Sequence, residues 1–125
     1  MNATKPGVTE KSFQFAIRIV NLYKVLSGER KEYILSKQLL RSGTAVGAMI
    51  CEADCAESKA DFRHKMSIAQ KELNETIYWI ELLVKTGYVK ENEHTSLMKD
   101  AIEIMKIVVA IIKSSKARAK LVQSA

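Results

Sequence analysis

Apolar positions recur every three or four residues along most of the chain, and no stretch alternates apolar with polar as a half-buried strand does. Four amphipathic helices follow, over residues 9–27, 30–56, 59–86 and 93–119. Thr9 suits the N-cap of the first helix, after a short polar lead containing Pro6 and Gly7. Two adjacent stripes run along that helix: Phe13, Ile17 and Val20 beside Phe15, Ile19, Leu22 and Leu26. Gln14, Arg18 and Asn21 mark its wet side, and Gly28 fits the left-handed residue that ends a helix. The second helix begins near Glu29 to Lys31. Its Leu35, Leu39, Ser42, Val46, Met49 and Ala53 step by four and three, as a packed seam does.

Ser58 with Asp61 is an acidic relative of the capping box, so the third helix starts there. Phe62, Met66, Ala69, Leu73, Thr76, Ile80 and Leu83 hold the seam step without a fault. Gly87 ends the helix, with Lys85 near its negative pole. In the fourth helix the paired stripes Leu97/Met98, Ala101/Ile102, Ile104/Met105, Val108/Val109 and Ile111/Ile112 are broad. Either this helix is sunk between two neighbours of its own chain, or it also touches another subunit. Gly43 and Gly47 lie inside the second helix, where each costs about 1 kcal/mol relative to Ala. Close helix packing at a small-residue strip is the compensating gain this pair implies.

Short connections between long helices make neighbours antiparallel. The expected fold is all-α: one domain over residues 1–125, an up-down-up-down four-helix bundle, with no internal repeat. The formal net charge of +6 comes from scattered lysines and arginines, which favours anionic partners, nucleic acid before membrane. The N-terminus lacks a cationic start followed by an apolar stretch, and the longest apolar run, Ile107 to Ile112, is too short for a bilayer. Cys51 and Cys55, four apart on a helix, suit disulfide geometry poorly and read as reduced, partly buried core thiols. A soluble cytoplasmic protein without a membrane partner is expected.

No arrangement of residues announces a reaction. Di-iron bundles need two Glu-x-x-His pairs, and Glu91 with His94 supplies the spacing only once, at a helix start. Bundles that cleave RNA with an arginine and a histidine a few positions apart find no match at His64 or His94. Cys51 and Cys55 with a distant histidine do not make a convincing zinc set. There is no glycine-rich phosphate loop after a strand, and no base near a serine or cysteine nucleophile. Glu52, Glu72 and Glu75 fit a solvated face better than acid chemistry. The expectation is no enzyme, no cofactor and no metal.

Basic residues are more suggestive. Lys106, Lys113, Lys116, Arg118 and Lys120 are followed by no acidic residue. Part of that excess is the cation preference of a helix C-terminus, and the rest forms a phosphate-attracting tail. Lys37 and Arg41 share an outer face of the second helix, as do Lys59 and Arg63 on the third. Aromatics are not interleaved with these residues, so contacts to phosphates rather than stacked bases are expected.

One set of residues carries a family resemblance. On the second helix it comprises Gln38, Leu39, Arg41, Ser42, Gly47, Ile50, Glu52 and Ala53. On the third it comprises Lys59, Asp61, Phe62, Ser67, Ile68, Ala69, Glu72, Glu75, Thr76, Tyr78 and Trp79. The chain thereby resembles the bacterial proteins named for the 23S rRNA intervening sequence, from about Thr9 to Lys116. The resemblance implies a left-handed four-helix bundle assembled as a ring-shaped homopentamer. That family is similar in turn to the accessory protein of diversity-generating retroelements, a basic pentamer that works with a reverse transcriptase and binds nucleic acid. Many members carry Asn where this chain has Met49 and Ser where it has Ala45, so a polar pair of the family is altered here. No catalytic residues carry over.

The combined reading is a non-catalytic homo-oligomer, a pentamer, acting as an RNA-binding accessory protein. Arg18, Lys37, Arg41, Lys113, Lys116, Arg118 and Lys120 are its candidate phosphate-holding residues, for RNA or DNA. The competing reading is a scaffold that binds only protein, through the fourth helix and the Gly43/Gly47 strip.

Overall fold

The computed structural model describes residues 6–124, so residues 1–5 and 125 of the expected domain lie outside the described part. Within it the chain forms four helices and no strand: α1 (Pro6–Gly28), α2 (Leu35–Asp54), α3 (Lys59–Lys85) and α4 (Glu91–Ser124). Each helix packs against its neighbour in sequence, and α4 closes against α1. Across the diagonals, α1 with α3 and α2 with α4, no Cα atoms come within 8 Å of each other among the described residues. One core fills the centre, with Phe15, Ile19 and Leu26 from α1 meeting Leu39, Val46 and Ile50 from α2. Met66, Leu73, Ile80 and Leu83 from α3 and Ile104 and Val108 from α4 complete it. Each such side chain contributes about 1.5–3 kcal/mol by leaving water, which outweighs the weak helix propensity of its β-branched members.

The structure corrects the expected first helix in three places. It already includes Pro6, so Thr9 is not an N-cap but lies inside the helix, its hydroxyl 3.4 Å from Asp54 at the end of α2. Only one of the two expected stripes is buried. Phe15, Ile19, Leu22 and Leu26 face the core, whereas Phe13 is 61 % and Ile17 40 % exposed. A helix that touches only α2 and α4 has one side to bury, and Phe13 and Ile17 fall beyond it. Gly28 is an ordinary last helical residue, and the left-handed position is Lys31, at φ 59°.

That displaced turn also moves the second helix, which starts at Leu35 rather than near residue 30. The buried Glu32 folds back over its end: the carboxylate accepts from the backbone N–H of Ile34 (3.3 Å), Leu35 (3.1 Å) and Ser36 (2.6 Å). Ser36 returns a bond from its hydroxyl to the Glu32 carbonyl at 2.7 Å. Otherwise unpaired donors at a helix start are thereby satisfied by a residue three before the helix. At its far end α2 stops at Asp54, and Cys55 caps it. Both cysteines are exposed rather than partly buried, because they lie outside the face formed by Val46, Ile50 and Ala53.

The third helix opens with Ser58 accepting from the Asp61 N–H at 3.0 Å, while the Asp61 carboxylate accepts from the Glu57 N–H. It closes before Gly87, whose φ of +87° lets the chain turn into α4. On α4 the double stripe separates into a buried seam and a half-covered flank. Leu97, Ala101, Ile104, Val108, Ile111 and Ile112 are buried, while Ile102 is exposed.

Candidate nucleic-acid interface

Two of the three candidate arginines, Arg18 and Arg41, are already committed inside the molecule. Arg18 donates to the Asp100 carboxylate at 2.7 Å and to the Ser96 hydroxyl at 2.9 Å, tying α1 to α4. Arg41 sits between two carboxylates of α3, 3.2 Å from Glu72 and also paired with Glu75. The indole N–H of Trp79 donates to Glu75 at 2.9 Å. That indole bond, with the Arg41 guanidinium, holds the Glu75 carboxyl below its ordinary value. Arg41 itself is held above its ordinary value, chiefly by its bond to Glu75. A phosphate reaching either arginine must first displace a carboxylate, so neither is poised for one.

The other candidates divide by position. Lys37 is exposed on α2, on the diagonal from α4, and is not brought near the remaining set. Lys113, Lys116, Arg118 and Lys120 are exposed together along the later part of α4. Sequence reasoning missed the way this group continues toward the start of the helix. Lys99, Lys106, Lys113 and Lys120 recur every seven residues and are all exposed. Seven residues rise about 10.5 Å and fall about 20° short of two full turns, so the four form one slowly winding row. Arg118 lies toward the other side of the helix, and Lys116 flanks the row. The signal is present in the sequence as a heptad of lysines, running beside the more conspicuous apolar heptads.

Beyond Glu91 in its first turn, the carboxylates of α4 are all engaged by neighbours. Asp100 is engaged by Arg18, Glu103 by Lys11 and Glu93 by Arg30, all from α1 or the connection that follows it. Burial alone would raise the Glu93 carboxyl, but bonds from Arg30 and the Lys90 N–H outweigh it and leave it lowered. Lys99, Lys106 and Lys113 take part in no ion pair among the described residues.

Of the histidines, His64 is exposed, and His94 Nε2 lies 2.6 Å from Glu81 across α3 and α4. No three His, Cys, Asp or Glu side chains converge as a metal set among the described residues. No helix among them is long and apolar enough to cross a membrane.

With this geometry in place, the sequence matches the 23S rRNA-intervening sequence protein family over residues 5–110. The chain belongs to that family. A crystal structure of a protein of unknown function from the S23 ribosomal protein family of Bacteroides thetaiotaomicron is similar to it. The two are 54 % identical, with a TM-score of 0.84 over 85 % of this chain and 95 % of that one. Comparison with curated proteins gives no match. In this member of the 23S rRNA-intervening sequence proteins, many residues that carried the resemblance meet along the α2–α3 seam. Arg41 bridges to Glu72 and Glu75, and Ser42 meets Thr76 at 2.9 Å in the buried interior. These are contacts of the fold, and the lysine row lies on another helix.

Proposed function

We propose that this family member is a non-catalytic accessory protein that binds RNA through phosphates along the outer face of α4. The observation that carries the reading is the row Lys99, Lys106, Lys113 and Lys120, exposed on a helix whose acidic residues after Glu91 are held by α1 and the connection after it. Evenly spaced ammonium groups without intervening carboxylates attract a polyanion and read no bases, so sequence preference should be weak. Lys116 and Arg118 widen the patch. Lys37 adds long-range field only, and Arg18 and Arg41 serve the fold.

In this reading the helices run up-down-up-down as a left-handed bundle. Contacts from opposite ends of neighbouring helices support the antiparallel order: Thr9 with Asp54, Lys65 with Glu52, Arg63 with Ser115, and Arg30, just past the end of α1, with Glu93. A cyclic homopentamer would repeat the row around a ring, and a cytoplasmic location goes with RNA as the partner. The competing scaffold reading draws on the exposed Phe13 and Ile17, which a phosphate-binding role leaves unused.

The deciding experiment titrates a structured RNA and a duplex DNA with the protein across a salt series. A log-linear fall in affinity, with about 0.9 counterions released per phosphate contact on a duplex, is the expected result. No binding at the lowest salt overturns the reading.

A further inference from the structure

The outer face between α1 and α2 holds a groove of about 420 Å³. Phe13 and Ala16 form one wall, and Thr44, Gly47, Ala48 and Cys51 form the other. The α2 wall is low because all four of its residues are small, which leaves the Phe13 ring standing above it. The lined stretches, Thr9 to Ala16 and Thr44 to Cys51, are each about 10.5 Å long at 1.5 Å per residue. Two turns of a helix fit that length. Phe13, 61 % exposed, leaves apolar surface there for a partner to cover.

The molecule carries a helical segment of matching size and chemistry. Beyond Arg63, whose bond to Ser115 is at 3.4 Å, α4 runs on to Ser124. There Leu121 is 71 % and Val122 72 % exposed, and Ala117 stands one turn before Leu121. Around the helix Arg118 stands between Leu121 and Val122, Lys116 and Lys120 lie beyond Ala117, and no acidic residue occurs after Glu103. The groove has the opposite character at its edges: Glu10 on its α1 lip, and Asp54 and Glu57 past Cys51. The segment does not reach the groove of its own chain in this fold, because α4 and α2 sit on a diagonal with no Cα atoms within 8 Å among the described residues.

We infer that the far end of α4 from one copy, residues 117–124, seats in the α1–α2 groove of a second copy. Leu121 and Val122 pack against Phe13 over the floor at Gly47 and Ala48, and Lys116 and Arg118 face Glu10, Asp54 and Glu57. Donor and acceptor are different surfaces, so the contact is head-to-tail and closes into a ring when the rotation permits. It supplies an interface for the homo-oligomer proposed above and rests on that reading. The lysine row stays outward, apart from its last member beside the joint.

The test uses the full chain. Light scattering of the wild type is compared with Leu121→Glu/Val122→Glu, whose helix content by circular dichroism should not change because both side chains are exposed. The expected result is loss of the oligomer to the mass of one chain, 14.0 kDa. The second arm places Leu121→Cys in a Cys55→Ser background. Mild oxidation should link it to the native Cys51 of a neighbour, giving covalent dimers and longer ladders that disappear on adding Cys51→Ser. An oligomeric wild type whose assembly survives the double glutamate variant, with no cross-link to Cys51, overturns this interface and leaves the oligomer standing. A wild type of one-chain mass overturns both.

Discussion

Gly43 of α2 faces Ile19 of α1 so closely that a Cβ on it would lie 2.7 Å from Ile19 Cγ2 and 2.9 Å from Cγ1. Ile19 is completely buried and β-branched, so it has no open direction in which to swing. Gly43→Ala should gain about 1 kcal/mol of helix propensity and lose about 1–3 kcal/mol to overpacking. A net loss of up to about 2 kcal/mol in urea unfolding is the expected outcome. Gly47 is the internal control: its Cβ would meet the Ser12 carbonyl oxygen at 3.3 Å, a gap that a few tenths of an ångström relieve. Gly47→Ala should stay within about 1 kcal/mol of the parent, its propensity gain offsetting the tighter fit. A Gly43→Ala protein more stable than the parent would show that α1 and α2 separate freely.

Glu32 should matter more than an acidic residue in a connection ordinarily does. Its carboxylate takes three N–H groups at the start of α2, the role a serine or aspartate usually plays from the N-cap position. Removing it strands the Ser36 donor in the buried interior, while Ile34 and Leu35 can turn to water. Glu32→Ala should cost about 1–2 kcal/mol, and amide exchange should speed up at Ile34, Leu35 and Ser36 ahead of the rest of α2. Glu32→Gln keeps an acceptor and should recover part of the loss. Equal exchange across α2 in the alanine variant would count against this cap.

Periodicity made the helices legible where a seam meets two neighbours at once. In α3, Met66, Ala69, Leu73, Thr76, Ile80 and Leu83 are all buried at the positions the step predicts. It failed where the deciding contact is not periodic. The start of α2 is set by a left-handed Lys31 and a carboxylate reaching forward, and neither has a repeat to follow. The outer stripe of α1 has a helical period as good as the inner one, yet Phe13 and Ile17 have no neighbouring helix to meet. Basic residues were legible as charge but not as partners. That Arg41 lies between Glu72 and Glu75 depends on register between two helices, which the order of residues along one of them does not state.

The α2–α3 clasp gives the fold a definite response to acid. The Glu75 carboxyl is lowered in the folded chain by its bonds from Trp79 and Arg41, so the folded state binds that proton less readily than the unfolded one. Its contribution is therefore present above the ordinary value of 4.5 and is lost as pH falls through the lower folded value. Glu93, lowered with Arg30 and Lys90 as partners, acts in the same direction. Glu75→Gln should lower the urea midpoint at neutral pH, and its difference from the parent should shrink as pH drops below that ordinary value. The effect should be small, since water screens an exposed pair. A difference that widens in acid would have the wrong sign for this linkage.

Charge substitutions should separate the residues that hold the fold from those that meet RNA. Lys106 and Lys113 carry no ion pair among the described residues, so Lys106→Glu/Lys113→Glu breaks no ion pair between α4 and its neighbours. Both sit ahead of the segment assigned to the groove, and the unfolding midpoint should hardly move. Binding of a structured RNA should weaken by at least about tenfold at moderate salt, and the log–log salt slope should fall by about two, one for each phosphate no longer neutralised. Arg18→Ala and Arg41→Ala should do the reverse. Each removes a positive charge but frees a carboxylate, Asp100 or the Glu72–Glu75 pair, and loosens the packing of two helices. Stability should drop by up to about 1 kcal/mol, with RNA affinity close to the parent's. If Arg41→Ala instead lowers the salt slope while the lysine pair leaves it intact, the phosphates lie along the α2–α3 seam and the row on α4 is only a solvated face.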